Sequence, residues 1–332
     1  MMKTQLSKRL LEWYADHGRE LPWRVKGGAH PDPYVILVSE FMLQQTGVKT
    51  VIPYFYRFME RFPTVKALAE APLEDVYHCW QGLGYYTRAR SLHASAQMIM
   101  ADFGGTFPSS KAEVLKLKGI GPYTVASFLS LAFNQPETVI DGNVIRVICR
   151  IYHLTEPITE IMDEIREKAA ALTDKEHPAD YASAIMDLGA MVCTPKNPQC
   201  LLCPWQAHCL SKNDKELEKI PARGKLPKKE KQGKVYLIRN EKGEIFIRKR
   251  NEKGLLSGLY EFPWSDTENL YPAAENTGRK VSHVFTHFKL ILDIYILQSE
   301  TAEEGGKFIS PDSLKDYPVS TLMKKVFSSA VI

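Results

Sequence analysis

The chain of 332 residues holds only six cysteines and no long apolar run. No stretch approaches the ~20 apolar residues that a membrane-spanning helix needs. The opening "MMKTQLSKRLLEWYADHG" also lacks the apolar centre of a secretory signal. These absences lead to the expectation of a soluble, cytoplasmic protein with no membrane partner, kept where thiols stay reduced. There is no internal repeat, and no low-complexity tract beyond one basic stretch. Excess charge is nearly lacking as well. The net charge is +4, and the segment 221–234, "PARGKLPKKEKQGK", supplies +5 by itself, which leaves the remainder at −1. Bulk charge therefore does not announce nucleic-acid binding; if DNA is the partner, local geometry must hold it.

Four of the six cysteines fall in "CTPKNPQCLLCPWQAHC", as Cys193, Cys200, Cys203 and Cys209, with the spacing C-x6-C-x2-C-x5-C. Clustered thiols in a reducing compartment favour a metal or a metal cluster over disulfides. Four thiolates suit structural zinc on chemical grounds. The spacing is not that of ferredoxins. Cys79 and Cys149 read as core thiols.

The length and a hydrophobic content of 44% suggest two domains. Residues 1–210 read as helical, within a first domain of residues 1–220. Val48, Val51, Ile52, Phe55, Phe58, Met59 and Phe62 fall on one helical stripe, and Leu92, Ala96, Ile99, Met100 and Phe103 repeat the pattern. Residues 221–233 read as a basic linker. From 234 to 332 the texture is that of a small α/β domain: "KVYLIRNEKGEIFIRKR" signals a hairpin, and "HVFTHFKLILDIYIL" reads as one further strand.

Within the helical part, "SSKAEVLKLKGIGPYTVASFLSLAF" predicts a helix to about Lys116, a tight turn at Gly119, Ile120 and Gly121, and a second helix with Pro122 at its first position. Glycines on either side of one apolar plug free the backbone N–H groups at a helix N-terminus, where a phosphate binds well. An ordinary helix–helix turn is the alternative. Two acids stand out. Glu40, in "YVILVSEFMLQQT", shares the apolar stripe of Ile36 and Leu37; burial would raise its pKa and keep it protonated, as a general acid requires. It would otherwise reach from a stripe edge to solvent or to an arginine. Asp141, in "VIDGNV", stands where an N-cap is expected. Two carboxyls flanking a glycosidic bond are what its cleavage needs, one to protonate the leaving group and one to stabilise the cationic sugar.

The hairpin, "VIDGNV" and the cysteine loop, in that order and with "LPWR", "SEFMLQQT" and "GLGYYTRAR" before them, resemble the helix-hairpin-helix DNA glycosylases that carry an iron–sulfur cluster. Within that superfamily the chain resembles the adenine glycosylases of the MutY type. The resemblance implies a mainly α helix-hairpin-helix domain with a 4Fe–4S loop at 193–209, and a C-terminal α/β Nudix-like domain. It implies one 4Fe–4S cluster on Cys193, Cys200, Cys203 and Cys209. Glu40 would be the catalytic acid, Asp141 the stabilising carboxylate, and Tyr123 and Asn143 supporting residues. Trp23, Arg24 and Leu43 would surround the extruded adenine. Gln45, Thr46, Tyr85 and Arg88 would contact DNA along with Gly119, Ile120 and Gly121. Apart from the resemblance, Trp23 and Leu43 read as core and Arg24 as a surface cation. The related endonuclease III branch has a lysine at the position of Tyr123, and a phenol cannot form a Schiff base.

The expected substrate is double-stranded DNA with adenine opposite 8-oxoguanine, bound by a monomer of bacterial, nucleoid-associated type. An endonuclease III-like glycosylase and lyase for oxidised pyrimidines is the alternative, and a catalytically silent DNA clamp the third reading. "IFIRKRNEKGLLSGLYEFPW" carries the Nudix likeness, yet no acidic metal-binding helix follows it. "HVFTHF" resembles the loop that reads 8-oxoguanine, through Phe285, Thr286 and His287. Three departures from the family stand out: Gly47 after "QQT", Ser183 where Gln or Glu is usual, and a long loop between Arg24 and Glu40.

Overall fold

The computed structural model describes residues 2–25, 31–222, 229–252, 254–285, 288–301 and 305–330. The helices are α1 (Met2–His17), α2 (Pro33–Leu43), α3 (Val48–Arg61), α4 (Val65–Glu70), α5 (Leu73–Trp80), α6 (Tyr86–Phe103), α7 (Lys111–Val114), α8 (Pro122–Phe133), α9 (Gly142–Tyr152), α10 (Ile158–Leu172) and α11 (Pro178–Asp187). The strands β1 (Lys229–Arg239), β2 (Ile245–Lys249), β3 (Tyr260–Glu261), β4 (Trp264–Ser265), β5 (Glu275–Val284), β6 (Phe288–Gln298) and β7 (Gly306–Ile309) follow, and α12 (Thr321–Ala330) comes last. No helix among the described residues is long and apolar enough to cross a membrane. The chain forms two compact units, Met1–Glu70 with Ser91–Lys225, and Ala71–Arg90 with Leu226–Ile332.

In the helical unit, α2 and α8 are apolar nearly all round and buried along most of their length, the pattern of interior helices. Asp32 caps α2 by accepting from the Tyr34 N–H at 2.8 Å, and Pro33 opens the helix. α9 is amphipathic. Its Val144, Ile148 and Ile151 pack with Leu6, Leu10 and Tyr14 of α1 and with Ile165 and Ile185 of the following helices. Ser110 caps α7, which ends at Val114 rather than near Lys116. The turn that follows needs its glycine. Gly119 has φ +77°, and a Cβ there would stand 2.6 Å from Ser91 Cβ. Ile120 plugs the core at 8% exposure, and the Ser95 hydroxyl fastens the turn by donating to the Lys118 carbonyl at 2.9 Å.

The second unit holds a mixed sheet of order β3-β2-β1-β6-β5, with β4 on β1 and β7 on β2. β1 and β6 run parallel over their full length, and β5 pairs antiparallel with β6. Along β1 the side chains alternate: Val235 and Leu237 join one core with α12, while Tyr236 and Ile238 join a second. Two sequence expectations change here. β1 starts at Lys229, inside the stretch read as linker, because its charged residues pair through their backbone with β6. "HVFTHFKLILDIYIL" is two strands rather than one, since the Phe285 N–H returns to the Phe288 carbonyl at 2.8 Å and reverses the chain.

Candidate active site

Glu40 sits mid-way along the apolar α2 at 5% exposure. Burial raises its carboxyl to about 7; nearby Asp141 pushes in the same direction, and Ser127 and Arg24 oppose it. Asp141 occupies the N-cap of α9. Its Oδ1 accepts the Val144 N–H at 2.7 Å and its Oδ2 the Asn143 amide at 2.9 Å. Both carboxylate oxygens are thus fixed in direction by the start of one helix. Tyr123, in the first turn of α8, lies in the field of both acids, and desolvation first and then those acids push its phenol well above the ordinary range. The phenol therefore stays neutral, with Met186 Sδ 3.9 Å from its oxygen.

Trp23 is core, packed edge-on against Phe55 at 5.2 Å. Arg24 is not a surface cation. Its Nη1 donates to Asp187 Oδ2 at 2.8 Å, with side-chain exposures of 7% and 0%. Arg19 binds the same carboxylate from Nε at 2.7 Å and from its backbone N–H at 2.8 Å. Trp23 and Arg24 border a cavity of about 40 Å³ with Ile36 and Ser183, room for a water rather than a purine. Leu43, at the end of α2, does not border it. Ser183, buried, bonds to the Tyr14 phenol. Residues 26–30 of the long loop lie outside the described residues. Replacing Asp187 by Ala would leave Arg24 buried without its carboxylate. The expected loss is about 3–5 kcal/mol of stability, read as a lower denaturant midpoint, with Asp187→Asn milder because it keeps an acceptor.

Cys193, Cys200, Cys203 and Cys209 border one cavity together with Arg150 and Val192. Among the described residues no three His, Cys, Asp or Glu side chains close round a single-ion position. The four thiols line one small cavity of about 30 Å³. Burial pushes three of them up, Cys203 to about 12, and the neighbouring cysteines add to the rise. Such thiols shed their protons when a cationic metal core takes their place as partner, so the donor set fits an iron–sulfur cluster. α9 braces this loop. Arg150 donates to the Thr194 carbonyl at 2.7 Å and approaches Cys193 Sγ at 3.5 Å. Arg146 donates to the Cys193 carbonyl at 2.7 Å, the Gly189 carbonyl at 2.6 Å and Asn143 Oδ1 at 2.9 Å.

Three family models match: HhH-GPD superfamily base excision DNA repair protein over residues 38–171, the iron-sulfur binding domain of endonuclease III over 193–209, and a NUDIX domain over 234–329. The adenine DNA glycosylase of Buchnera aphidicola subsp. Baizongia pistaciae is 37% identical over 287 residues, covering 84% of this chain and 80% of that one. The adenine DNA glycosylase of Homo sapiens is 32% identical over 403 residues, covering 98% of this chain and 73% of that one. The chain belongs to the adenine DNA glycosylases. Among solved structures, a thermostable thymine-DNA glycosylase superposes with TM-score 0.56 at 26% identity, over 63% of this chain and 96% of that one. A non-covalent endonuclease III–DNA complex, with TM-score 0.53 at 23% identity over 64% and 97%, shares the fold.

In this adenine DNA glycosylase two of the residues expected to contact DNA carry backbone strain. Gln45 has φ 58° and Tyr85 φ 51°, both non-glycine residues held in the left-handed region. Thr46 closes the turn after α2 through its N–H to the Leu43 carbonyl at 3.2 Å. Gly121, the N-cap of α8, has no side-chain cap, which leaves that helix N-terminus to another partner. In the second unit Arg88 is buried. Its Nη2 donates to the carbonyls of Gly84 at 3.0 Å and Leu83 at 3.3 Å, and it lies 5.1 Å from the Tyr85 ring centroid. It braces the loop that presents Tyr85. A cavity of about 220 Å³ in the same unit is bordered by Tyr85, Leu256, His283 and Phe285. Thr286 and His287 lie outside the described residues. Asp187, Arg146 and Ser127 escaped sequence reasoning. An arginine every fourth residue along α9 was the available signal for Arg146 and Arg150.

Proposed function

We propose that this chain hydrolyses the N-glycosidic bond of adenine paired with 8-oxoguanine in duplex DNA, as a cytoplasmic monomer holding one 4Fe–4S cluster, and leaves an abasic site with the strand intact. The observation that carries this reading is a buried carboxyl titrating near neutrality beside a second, rigidly held one. Glu40 in its protonated form donates to N7 of the extruded purine, so that the C1′–N9 bond breaks toward a neutral leaving group. Asp141 stabilises the positive charge that grows on the sugar. Water then adds at C1′ and returns its proton to the Glu40 carboxylate. Tyr123 supplies no amine, which supports hydrolysis over a lyase step. Cys193, Cys200, Cys203 and Cys209 would hold the cluster, whose chemistry here is to staple the end of the helical unit.

The test pairs two duplexes, one with adenine opposite 8-oxoguanine and one with an oxidised pyrimidine. The expected result is adenine release, with strand scission only after alkali. Scission without alkali, or release of the pyrimidine instead, would refute the reading. Phe285 packs edge-on against His283 at 4.8 Å and tilted against Phe288 at 5.0 Å, beside the cavity proposed to read the opposite base. Phe285→Ala is expected to narrow the preference for 8-oxoguanine over guanine by a factor of about five, an aromatic contact being worth about 1 kcal/mol. The ratio of single-turnover rates on the two duplexes measures it.

A further inference from the structure

The steps above leave one buried polar group without a task. Ser127 lies one turn after Tyr123 on α8, fully buried, and its hydroxyl closes no hydrogen bond. Other buried serines of the helical unit are satisfied. Ser130 of the same helix reaches the Gln135 and Glu137 carbonyls, each at 3.1 Å. Ser39 donates to the Ile36 carbonyl at 2.9 Å and Ser95 to the Lys118 carbonyl at 2.9 Å. A helical serine ordinarily turns back to a carbonyl of the preceding turn. A buried hydroxyl that does not asks for an explanation.

The groups this hydroxyl can approach as a donor, short of a bond of ordinary length, are the Glu40 carboxyl and the Tyr123 phenol, and it lowers the pKa of each. We propose that Ser127 is a positioning residue for the general acid, its hydroxyl donating to the Glu40 carboxylate that forms as the purine takes the proton. The inference rests on reading Glu40 as that acid. Before transfer the carboxyl is neutral and asks little of a donor. After transfer it is an anion in an apolar helix. Asp141, at the head of α9, opposes that anion, Arg24 before α2 favours it, and Tyr123 of α8 brings no charge. Arg24 is already committed to Asp187. A hydroxyl that closes no bond of ordinary length to the neutral carboxyl and tightens onto the anion stabilises the later state selectively, which is what lowers a barrier.

The experiment is the pH dependence of single-turnover adenine excision by the full, iron-loaded chain, compared among wild type, Ser127→Ala and Ser127→Thr. Glu40 must be protonated to act, so the rate falls as pH rises through its pKa. Losing a donor to the anion raises that pKa. The descending limb of Ser127→Ala is therefore expected about one pH unit higher than in wild type, the size of one hydrogen bond to a charged group. Ser127→Thr keeps the hydroxyl and should keep the wild-type limb. The position of the limb, not its height, is the readout, because a packing defect lowers the rate at every pH alike. Ser127→Ala removes a single oxygen from a buried helix position, so folding is preserved. Coincident limbs in wild type and Ser127→Ala would overturn the proposal while leaving Glu40 as the acid. A wild type that releases no adenine, or whose rate shows no descending limb, would remove the reading on which it rests.

Discussion

Glu40→Gln is expected to lower single-turnover adenine excision about 10³-fold while duplex binding persists, within the range that a positioned acid contributes. Gln is nearly isosteric and cannot deliver a proton, so the loss isolates chemistry from shape. The wild-type rate should fall as pH rises through about 7, where Glu40 ionises, and that limb should vanish with the substitution. Wild-type stability should fall with rising pH as well. The folded carboxyl titrates near 7 against an ordinary value of 4.5. Between those values the folded state binds more protons than the unfolded one, so wild-type stability declines as pH climbs from 4.5 to 7 and then levels off. A tenfold difference in proton affinity between folded and unfolded chain corresponds to ~1.4 kcal/mol, which puts the cost of the ionised acid on the order of 3 kcal/mol above pH 7. Glu40→Gln abolishes this cost. Denaturant titrations at pH 5 and pH 8 would show the variant gaining on wild type only at the higher value. Equal gains at both would mean that Glu40 is not held protonated by its surroundings.

The acid was legible because burial follows from periodicity. A carboxyl on the stripe of Ile36 and Leu37 has only the interior of the helical unit to face, and the turn ending in Asp141 leads directly into the stripe of α9. The turn at Gly119 was legible for a similar reason, since glycine, an apolar plug, glycine and proline leave few conformations open. What stayed hidden depends on residues far apart in the chain. Nothing near Arg146 and Arg150 in the sequence marks their partners, which the cysteine loop and the π-helical turn Leu188–Val192 bring to them only in the fold. Arg24 looked like a surface cation because nothing local marks Asp187, far along the chain, as its partner. The reversal between β5 and β6 escaped because "HVFTHFKLILDIYIL" keeps its apolar alternation and has no Gly or Pro to announce a turn. The basic run before β1 misled in the opposite sense, since backbone pairing with β6 does not depend on side-chain charge.

Arg146→Ala is expected to damage the cluster loop and the catalytic carboxylate together. The guanidinium is buried at 6% exposure. Besides the Gly142 carbonyl of its own helix at 3.3 Å, it joins the carbonyl of the first cluster cysteine, the carbonyl of Gly189 in the π-helical turn, and the Asn143 side chain that fixes Asp141. The π-helical turn lies so close to α9 that a Cβ on Gly189 would fall 2.6 Å from Asn143 Cβ, so the Asn143 side chain is already confined on that side. Removing the fork strands buried acceptors that no water replaces at once, at a cost of about 1–3 kcal/mol each. Arg146→Lys should not restore them, because one ammonium cannot reach in three directions. Iron content should drop in either variant. The decisive quantity is the excision rate per iron-loaded molecule, expected to fall about 100-fold through loss of about 3 kcal/mol of positioning at Asn143 and Asp141. A normal rate in the loaded fraction would make Arg146 a brace for the cysteine loop alone. A reduced rate would mean that one side chain of α9 makes the orientation of the sugar-facing carboxylate depend on the fold of a loop about 50 residues away.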